Sequence, residues 1–356
     1  MKVMIAAGGT GGHIYPALAL AKVLQKEKPE SEVVFFGSSN RMEARVIPSE
    51  GYRFYGMKMT GTNGGLVAKA ESAFSMLKAE KQAKKILKEE KPDICVGFGN
   101  YISVPLIEAA HKMHLPTMIH EQNSFAGKAN RFLASKVDAI VGCYDSNLEQ
   151  MPAEKQKILG NPEATLAADT VFDEQNLTEI GLDPKIPFVL FMMGSLGSES
   201  VSAVIDEACP LFDHDYQVVI ASGKANDHHF VFQNTDRIKI VPYVDGKAML
   251  KGCALAVVRA GATTMAEIGA IGTAAVMIPS PYVPNNHQFY NASELVKKNA
   301  GVMLEEKDLN AESLADTVNR LMKDPEKLEE MRKIAYAQGK RDAAYRMIDW
   351  MEELVK

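Results

Sequence analysis

The chain has 356 residues, which is enough for about two domains. Its composition, 46% hydrophobic and 24% charged, excludes a disordered or fibrous protein. The net charge of -5 at pH 7 excludes the basic field on which nucleic-acid binding depends, so no nucleic-acid partner is expected.

The cysteines and the termini indicate the compartment. The cysteines are scattered, mostly in apolar context, and form no Cys-x-x-Cys pair, which favours buried thiols in a reducing environment. The first apolar run follows Met1 so closely that it leaves no room for a signal peptide, and no run reaches the roughly 20 apolar residues of a membrane span. We expect a cytosolic protein that contacts membranes only at its surface.

A glycine-rich turn ending in His13 separates the apolar run Val3–Ala7 from a helix-like stretch. Glycine lets a backbone approach a ligand closely, and the N-terminus of a helix favours anions or polarised hydroxyls. The turn fails the dinucleotide-binding pattern, because the third glycine would fall on Ile14, and no Lys-Ser/Thr pair follows it as in a P-loop. The turn therefore predicts a site that holds neither NAD nor a P-loop nucleotide.

Apolar runs alternate with helix-length segments along both halves of the chain, which predicts parallel sheets covered by helices on both faces. The runs of the first half are Val3–Ala7, Val33–Phe36, Ile94–Gly97, Thr117–His120 and Ala139–Gly142. Those of the second half are Phe188–Met192, Gln217–Ser222, Ile238–Val241, Leu255–Val258 and Ala274–Ile278. The pattern predicts an α/β protein of two doubly wound, Rossmann-like domains facing a cleft, residues 1–162 and 163–337, with a final helix near 338–356 packing back on the first domain.

Polar residues also cap a strand in the first half, at His120-Glu121-Gln122-Asn123, followed by Gly127 and Asn130. Burying such groups is costly unless they face a cleft or bond one another. Gly97-Phe98-Gly99-Asn100-Tyr101 forms another turn on the same edge. The sequence leaves open whether the polar group is a ligand site or a hydrogen-bonded loop.

Two further strand-to-helix turns occur in the second half. One runs from Met193 to Ser198 and the other from Arg259 to Glu267, and their small residues and hydroxyls suit phosphate oxygens. Glu267 would accept sugar hydroxyls or pair with the helix dipole. The amides near Asn285–Asn291 suit neutral polyol hydroxyls better than a metal. Together these features predict a nucleotide-sugar pocket.

Signals for a metal are weak. Asp213-His214-Asp215 has the D-x-D form but reads as a solvated loop, and His228-His229 reads as a surface turn. No Cys/His set has zinc spacing. We therefore expect no metal and no cofactor.

The segment 66–91 combines an apolar patch with a lysine stripe on nearly one helical face. The patch comprises Leu66, Ala70, Ala73, Phe74 and Leu77, and the stripe comprises Lys81, Lys84, Lys85 and Lys88. This pattern favours contact with an anionic membrane surface, and the alternative is a core-facing helix with a solvated end.

The ordered set of motifs resembles one family nearly end to end. The set comprises Gly8–His13 with Pro16–Ala19, Gly97–Gly99, His120–Asn123, Gly160–Pro162, Arg259–Glu267 and His287-Gln288. It is similar to the GT-B glycosyltransferases of family 28 that add N-acetylglucosamine to undecaprenyl-linked muramyl-pentapeptide in peptidoglycan synthesis. The resemblance implies a lipid acceptor on the first domain and UDP-N-acetylglucosamine on the second, with inversion, without an essential metal, at the cytoplasmic face of the cell membrane.

The resemblance also implies residue roles. His13 is the natural general base and Glu121 a second candidate. The turn at Ser195 and the segment Ala262–Thr264 stabilise the leaving group, and Glu267 holds the ribose. The acceptor and cleft positions are Thr10, Gly11, Gly12, Asn123 and Asn130. The donor positions are Ser195, Gly261, Ala262, Thr263, Glu267, Gln288 and Asn291. Closure of the domains is expected.

Some positions depart from the family pattern. Ala164 stands where an arginine is usual, Met193 and Leu196 replace a glycine and a glutamine, and Asn100 replaces a glycine. Two alternatives therefore stay open: a GT-B enzyme with another acceptor, and a non-catalytic sugar-nucleotide-binding paralogue. The intact His13, Glu121 and Glu267 argue against the second alternative.

Overall fold

The computed structural model describes residues 1–59, 66–194, 197–223 and 226–356, with side chains at 66–70 not described. The chain divides into two compact units. Unit 1 comprises Met1–Leu166 and Asp342–Lys356, and unit 2 comprises Ala167–Arg341. Each unit is described by itself.

Unit 1 is built on a parallel sheet in the order β3-β2-β1-β4-β5-β6-β7. Its strands are β1 Lys2–Ala6, β2 Glu32–Ser38, β3 Arg53–Met57, β4 Ile94–Gly97, β5 Thr117–Glu121, β6 Ala139–Gly142 and β7 Gln156–Ile158. Its helices are α1 Gly11–Glu27, α2 Glu43–Ser49, α3 Leu66–Glu90, α4 Asn100–Lys112, α5 Lys128–Leu133, α6 Glu163–Ala168 at the boundary, and α14 Ala343–Val355.

The core of unit 1 lies on both faces of this sheet, because the central strands are apolar on both sides. On one face, Ala344, Met347, Ile348 and Met351 of α14 are buried in the same cluster as the apolar side of α1. The last helix of the chain is therefore an integral part of unit 1.

Unit 2 is built on a parallel sheet in the order β10-β9-β8-β11-β12-β13. Its strands are β8 Phe188–Met192, β9 Gln217–Ala221, β10 Ile238–Val241, β11 Leu255–Val258, β12 Ala275–Met277 and β13 Gly301–Met303. Its helices are α7 Gln175–Thr178, α8 Glu199–Ala208, α9 Gly246–Gly252, α10 Ala262–Ile271, α11 His287–Val296, α12 Ala311–Met322 and α13 Pro325–Gln338.

Both sheets change direction beside their first strand. β1 lies between β2 and β4, and β8 lies between β9 and β11. In open α/β sheets the crevice outside the carboxyl ends of such strands is the usual ligand site. The predicted α/β class with two doubly wound parallel sheets is confirmed, and each glycine turn follows one of these strands.

At the amino ends of the unit 1 strands, away from the glycine turns, Glu90 connects the end of α3 to β1 and β3. Its carboxylate contacts Lys2 Nζ at 2.6 Å and Arg53 Nη1 at 2.9 Å, and it accepts a hydrogen bond from the Tyr55 hydroxyl. Burial by itself would raise the pKa of Glu90, but these partners lower it from about 4.5 to about 2. The ion pairs therefore stabilise the folded chain when Glu90 is charged.

We expect Glu90→Gln to lower the free energy of unfolding by about 2 kcal/mol at pH 7. Because the folded pKa lies below the unfolded one, this contribution is complete above about pH 4.5 and disappears as the pH falls towards 2. Urea unfolding at pH 7 and pH 3 measures the difference, with the exposed Glu89→Gln as the matched control. An equal loss at both pH values would show that charge is not the cause.

No helix among the described residues is long and apolar enough to cross a membrane.

Candidate functional site

The turns after β1 and β4 meet at the switch point of unit 1. Gly9 has φ +90°, and a Cβ there would lie 2.1 Å from Asn100 Nδ2, so both conformation and space require glycine. Asn100 itself has φ +62° and donates from Nδ2 to the Gly8 carbonyl at 3.3 Å. Asparagine tolerates this conformation better than other side chains, so it replaces glycine here while joining the two turns.

His13 lies in the first turn of α1 and is half-buried. Its Nδ1 is 2.8 Å from the Phe98 carbonyl oxygen, and since a carbonyl only accepts, Nδ1 carries the hydrogen and Nε2 is the basic nitrogen. Burial lowers the pKa of His13, although the Phe98 carbonyl, Gln122 and the charge of Glu43 oppose that shift. The imidazole is therefore neutral at pH 7 and able to accept a proton.

Glu121 is buried at the end of β5, and its oxygens are fully engaged. Oε1 accepts from Asn123 N at 3.0 Å and Asn123 Nδ2 at 3.3 Å, and Oε2 accepts from Gly127 N at 2.9 Å and Asn130 Nδ2 at 2.8 Å. A carboxylate has about four lone-pair sites, and these hydrogen bonds use them all. Burial raises the pKa of Glu121, and the hydrogen bonds oppose the rise. This geometry matches the hydrogen-bonded loop that the sequence left open.

His120 is fully buried beside this loop. Its ring stacks on Phe98 with centroids 5.1 Å apart, and Nε2 donates to the Gly160 carbonyl at 3.0 Å. Burial lowers the pKa of His120 to about 4, so the ring is neutral and packs the loops together. Gln122 adds a second hydrogen bond to the Phe98 carbonyl, at 3.0 Å.

Of the predicted acceptor positions, Asn130 lies beside His13. A Cβ at Gly99 would lie 3.4 Å from both the His13 ring and Asn130 Nδ2, so the two side chains flank the same glycine. The Thr10 side chain is exposed and makes no cap hydrogen bond to α1. At Gly12, a Cβ would meet only Thr10 Oγ1, at 3.8 Å, so packing does not require glycine there. Close approach of a ligand would require it.

At the switch point of unit 2, Arg259 connects four loops. Its guanidinium donates to Ser198 Oγ at 2.6 Å and to the Ile278 carbonyl at 3.1 Å, and it pairs with Glu306 at 2.7 Å. Glu306 in turn accepts from Ser200 Oγ at 2.6 Å. This network fixes the turns after β8 and β11 relative to each other.

Helix α10 presents its N-terminus at the same place. Gly261 precedes it with an ordinary φ of -65°, and a Cβ there would meet nothing within 4 Å, so only a ligand would require glycine. The Oγ1 of Thr263 is buried and has no partner among the described residues. Glu267 lies one turn further along, on the face that carries Thr263, and is 8% exposed. Ala262 begins the helix, so the backbone N–H groups of its first turn are available to an anion.

Gln288 and Asn291 of α11 hold adjacent loops. Gln288 Oε1 accepts from Ser280 N at 2.9 Å, and Asn291 Nδ2 donates to the Ala260 carbonyl at 3.2 Å, directly before Gly261. Asn291 is fully buried, whereas Gln288 is partly exposed. The structure thus places Asn291 beside the N-terminus of α10 and Gln288 against the loop that follows β12.

Ser195 and Leu196 lie outside the described residues. Met193, at another departure from the family pattern, is 5% exposed and packs in the core of unit 2. Ala164 is 2% exposed within α6. Both side chains are apolar and buried, so neither offers the hydrogen-bond donors that the usual residues of the family would supply.

Side chains from the two weak metal motifs contact other residues. Asp213 pairs with Lys323 at 2.7 Å, and His228 contacts Asp206 at 3.1 Å rather than a neighbouring histidine. Within the described ranges no group of three or more His, Cys, Asp or Glu side chains is arranged to hold a metal ion.

Two residues that hold the site loops were not predicted from the sequence: Glu43, which is buried, and Glu306, which is partly exposed. Neither belongs to a local motif, because their partners are distant along the chain. Arg259 was seen as part of a turn, but its ion pair with Glu306 was not predicted.

Comparison with known proteins identifies the family and the fold. The Glycosyltransferase family 28 N-terminal domain matches residues 3–141, and the Glycosyltransferase family 28 C-terminal domain matches residues 188–347. A crystal structure of Acinetobacter baumannii MurG is similar with a TM-score of 0.80 and 26% identity, covering 99% of both chains. The calicheamicin glycosyltransferase CalG4 is 14% identical with a TM-score of 0.71 over 100% of this chain and 99% of its own, which shows the fold alone.

Curated relatives are similar over their whole length. The protein of Limosilactobacillus reuteri is 37% identical over 100% of this chain and 99% of its own, and that of Listeria monocytogenes EGD-e is 36% identical over 100% of both. Both are named UDP-N-acetylglucosamine–N-acetylmuramyl-(pentapeptide) pyrophosphoryl-undecaprenol N-acetylglucosamine transferase. With both domain models and these full-length relatives, the chain belongs to glycosyltransferase family 28, among its N-acetylglucosaminyltransferases.

Proposed function

We propose that the chain transfers N-acetylglucosamine from UDP-N-acetylglucosamine to the C4 hydroxyl of undecaprenyl-pyrophosphoryl-N-acetylmuramyl-pentapeptide, with inversion at the anomeric carbon. The relatives' shared name supplies the substrates. The observation that carries the chemistry is the His13 tautomer, in which the Phe98 carbonyl holds Nδ1–H and leaves Nε2 as the base.

His13 is the general base in this proposal. The muramyl oxygen forms a bond to the anomeric carbon, its proton moves to His13 Nε2, and the bond from that carbon to the UDP oxygen breaks with its electron pair. The imidazole is neutral at working pH because burial lowers its pKa. The saturated oxygens of Glu121 favour a role in shaping the acceptor loop.

The leaving diphosphate collects negative charge as that bond breaks. The first turn of α10 and the buried hydroxyl of Thr263 offer hydrogen-bond donors at the place where this charge develops. Gly261 and Ala262 allow the phosphate to approach the backbone. Preorganised donors of this kind supply charge stabilisation without a metal.

The remaining donor contacts follow from the same helix. Glu267 accepts hydrogen bonds from the ribose hydroxyls, as the family resemblance implies. Gln288 and Asn291 orient the sugar hydroxyls, and Ser195 belongs to the phosphate-binding turn. Asn291 acts partly through the Ala260 carbonyl, which lies next to the phosphate-binding backbone.

The acceptor binds at the switch point of unit 1. Its diphosphate lies against Thr10, Gly11 and Gly12, where the N-terminus of α1 favours an anion. Asn123 and Asn130 line the muramyl side and are held in place by Glu121. The attacking hydroxyl is thereby brought to His13.

The lipid tail of such an acceptor lies in a membrane, so the protein must bind a membrane surface. Helix α3 offers a face suited to that binding. Phe74 is 72% exposed and Leu77 is 66% exposed, whereas the core face of the helix is formed by other residues: Ala79, Ala83, Ile86 and Leu87. Lys81, Lys85 and Lys88 are exposed further along, and Lys84 pairs with Glu80 at 3.2 Å. Leu66 and Ala70 belong to the undescribed side chains. These features support peripheral binding to the anionic cytoplasmic face of the cell membrane.

We expect the double change Phe74→Ser and Leu77→Ser to weaken binding to anionic phospholipid vesicles about tenfold or more, because each side chain loses apolar burial in the interface. Vesicle co-sedimentation measures the change. Turnover of a soluble acceptor should remain normal. The matched control is Val231→Ser, at a position 83% exposed on unit 2. Equal binding by the wild type and the double variant would contradict a membrane role for this face.

Release of UDP with and without acceptor tests the proposed function. We expect UDP release from UDP-N-acetylglucosamine to depend on a lipid-linked muramyl acceptor and not on unrelated aglycones. Release with aglycones alone would indicate another GT-B acceptor, and tight UDP binding with no release under any condition would indicate a non-catalytic paralogue.

A further inference from the structure

Glu43 is a buried carboxylate that the proposed chemistry does not use. It begins α2, its exposed fraction is 0%, and it lies against the first glycine turn. Oε2 accepts from Gly9 N at 3.0 Å, and Oε1 accepts from Ser38 N at 3.0 Å at the end of β2. A Cβ at Gly8 would lie 2.4 Å from its Oε1, so the turn is built around this carboxylate.

The charge of Glu43 is not neutralised by a cation within the described part of the chain, where no ion pair includes it. A buried carboxylate that accepts, among the described residues, from two backbone N–H groups is costly. Glutamine would turn an NH₂ group towards one of these two donors, so closing the turn needs both carboxylate oxygens. The negative charge that these oxygens carry has a second use besides closing the turn.

That use is found in His13, four residues beyond the N–H group that Glu43 binds. His13 sits at the N-terminus of α1, where the helix dipole disfavours a positive charge. Burial has the largest effect and lowers the pKa of His13, whereas the negative charge of Glu43 opposes that shift. Transfer of the acceptor proton produces an imidazolium at this unfavourable place, so a compensating anion would lower the barrier.

The neighbouring elements carry other titratable groups. His120 of β5 is neutral, and Glu121 at the end of β5 lies beyond the Asn130 amide. Tyr101 of α4 lies under the exposed guanidinium of Arg41, which is 5.8 Å from its ring centroid. Among these groups, Glu43 is the anion whose charge raises the pKa of His13.

On the basis of the proposed function, we propose that Glu43 is a positioning residue for the transfer. Its carboxylate holds the turn that carries His13 and stabilises the imidazolium formed when His13 takes the acceptor proton. Glu43 acts through His13 and the backbone, and it contacts no substrate.

The test is the effect of Glu43→Gln on the titration of His13. We expect the His13 ring, followed by NMR of Cε1-labelled histidine and assigned with His13→Gln, to titrate at lower pH than in the wild type. The acid limb of the kcat/KM profile should move in the same direction. The plateau of kcat should fall about tenfold, because the imidazolium loses its counter-charge.

Two variants control this result. Glu50→Gln removes an exposed carboxylate at the end of the same helix and should leave both readouts unchanged. Glu43→Asp keeps the charge, so the titration of His13 should stay at the wild-type pH even where the shorter side chain slows turnover. If Glu43→Gln does not fold, the proposal is tested with Glu43→Asp instead. A His13 titration shifted to lower pH in Glu43→Asp would then overturn the proposal.

An unchanged His13 titration in folded Glu43→Gln would also overturn it. Failure of the proposed function gives a different result: either the wild type forms no transfer product or His13→Gln turns over at the wild-type rate, whatever the His13 titration shows. The NMR readout does not depend on activity, so the two failures are distinguishable.

Discussion

We expect His13→Gln to lower kcat for transfer to a soluble acceptor by about 10³-fold, while UDP binds as tightly as to the wild type. The glutamine amide can still donate to the Phe98 carbonyl, but it supplies no basic nitrogen in place of Nε2. Unit 2 carries the proposed donor site and is unaffected by the change. Steady-state rates and calorimetric titration with UDP measure the two quantities.

The control for this variant is His111→Gln, at an exposed position in the last turn of α4. Loss of UDP binding together with activity in His13→Gln would contradict the role of His13 as base and indicate a structural role.

Wild-type activity should also fall as the pH drops below the ordinary histidine range, because protonated His13 cannot accept a proton and its pKa is lowered by burial.

Glu121→Gln has its largest effect on stability. The amide would place an NH₂ group against N–H donors that now bond a carboxylate oxygen, leaving buried donors unsatisfied. We expect the free energy of unfolding to fall by about 2–3 kcal/mol. Urea unfolding at pH 7 measures the loss.

The same variant separates the two candidate bases. Per folded molecule, kcat should stay within about threefold of the wild type, since His13 keeps its geometry. Glu154→Gln, which changes an exposed glutamate of unit 1, is the matched control. A fall in kcat of about 100-fold with unchanged stability would instead make Glu121 the base.

The sheets could largely be predicted from the sequence, because their central strands are apolar on both faces. The strands that were missed lie at sheet edges: Arg53–Met57, Gln156–Ile158 and Gly301–Met303. These three strands are largely half-buried or exposed, so they lack the continuous apolar run that identifies a buried strand.

The turns of the candidate site could be predicted where their residues are close together in the sequence. The turn that ends in His13 and the segment from Gly261 to Glu267 needed only a strand, glycines and a helix start. Glu43 could not be found in this way, since it bonds Gly9 across 34 positions of the chain. The sequence also could not show that the carboxylate oxygens of Glu121 are fully hydrogen-bonded, because the donors come from a loop whose path the sequence does not determine.

The central claim is transfer to a lipid-linked muramyl acceptor with His13 as the base. The most direct measurement is transfer of labelled N-acetylglucosamine from its UDP donor to a soluble analogue of that acceptor, with EDTA present, for the wild type and His13→Gln. We expect labelled disaccharide product from the wild type and about 10³-fold less product from His13→Gln. No product from folded, UDP-binding wild type, even after metal is added, would contradict it.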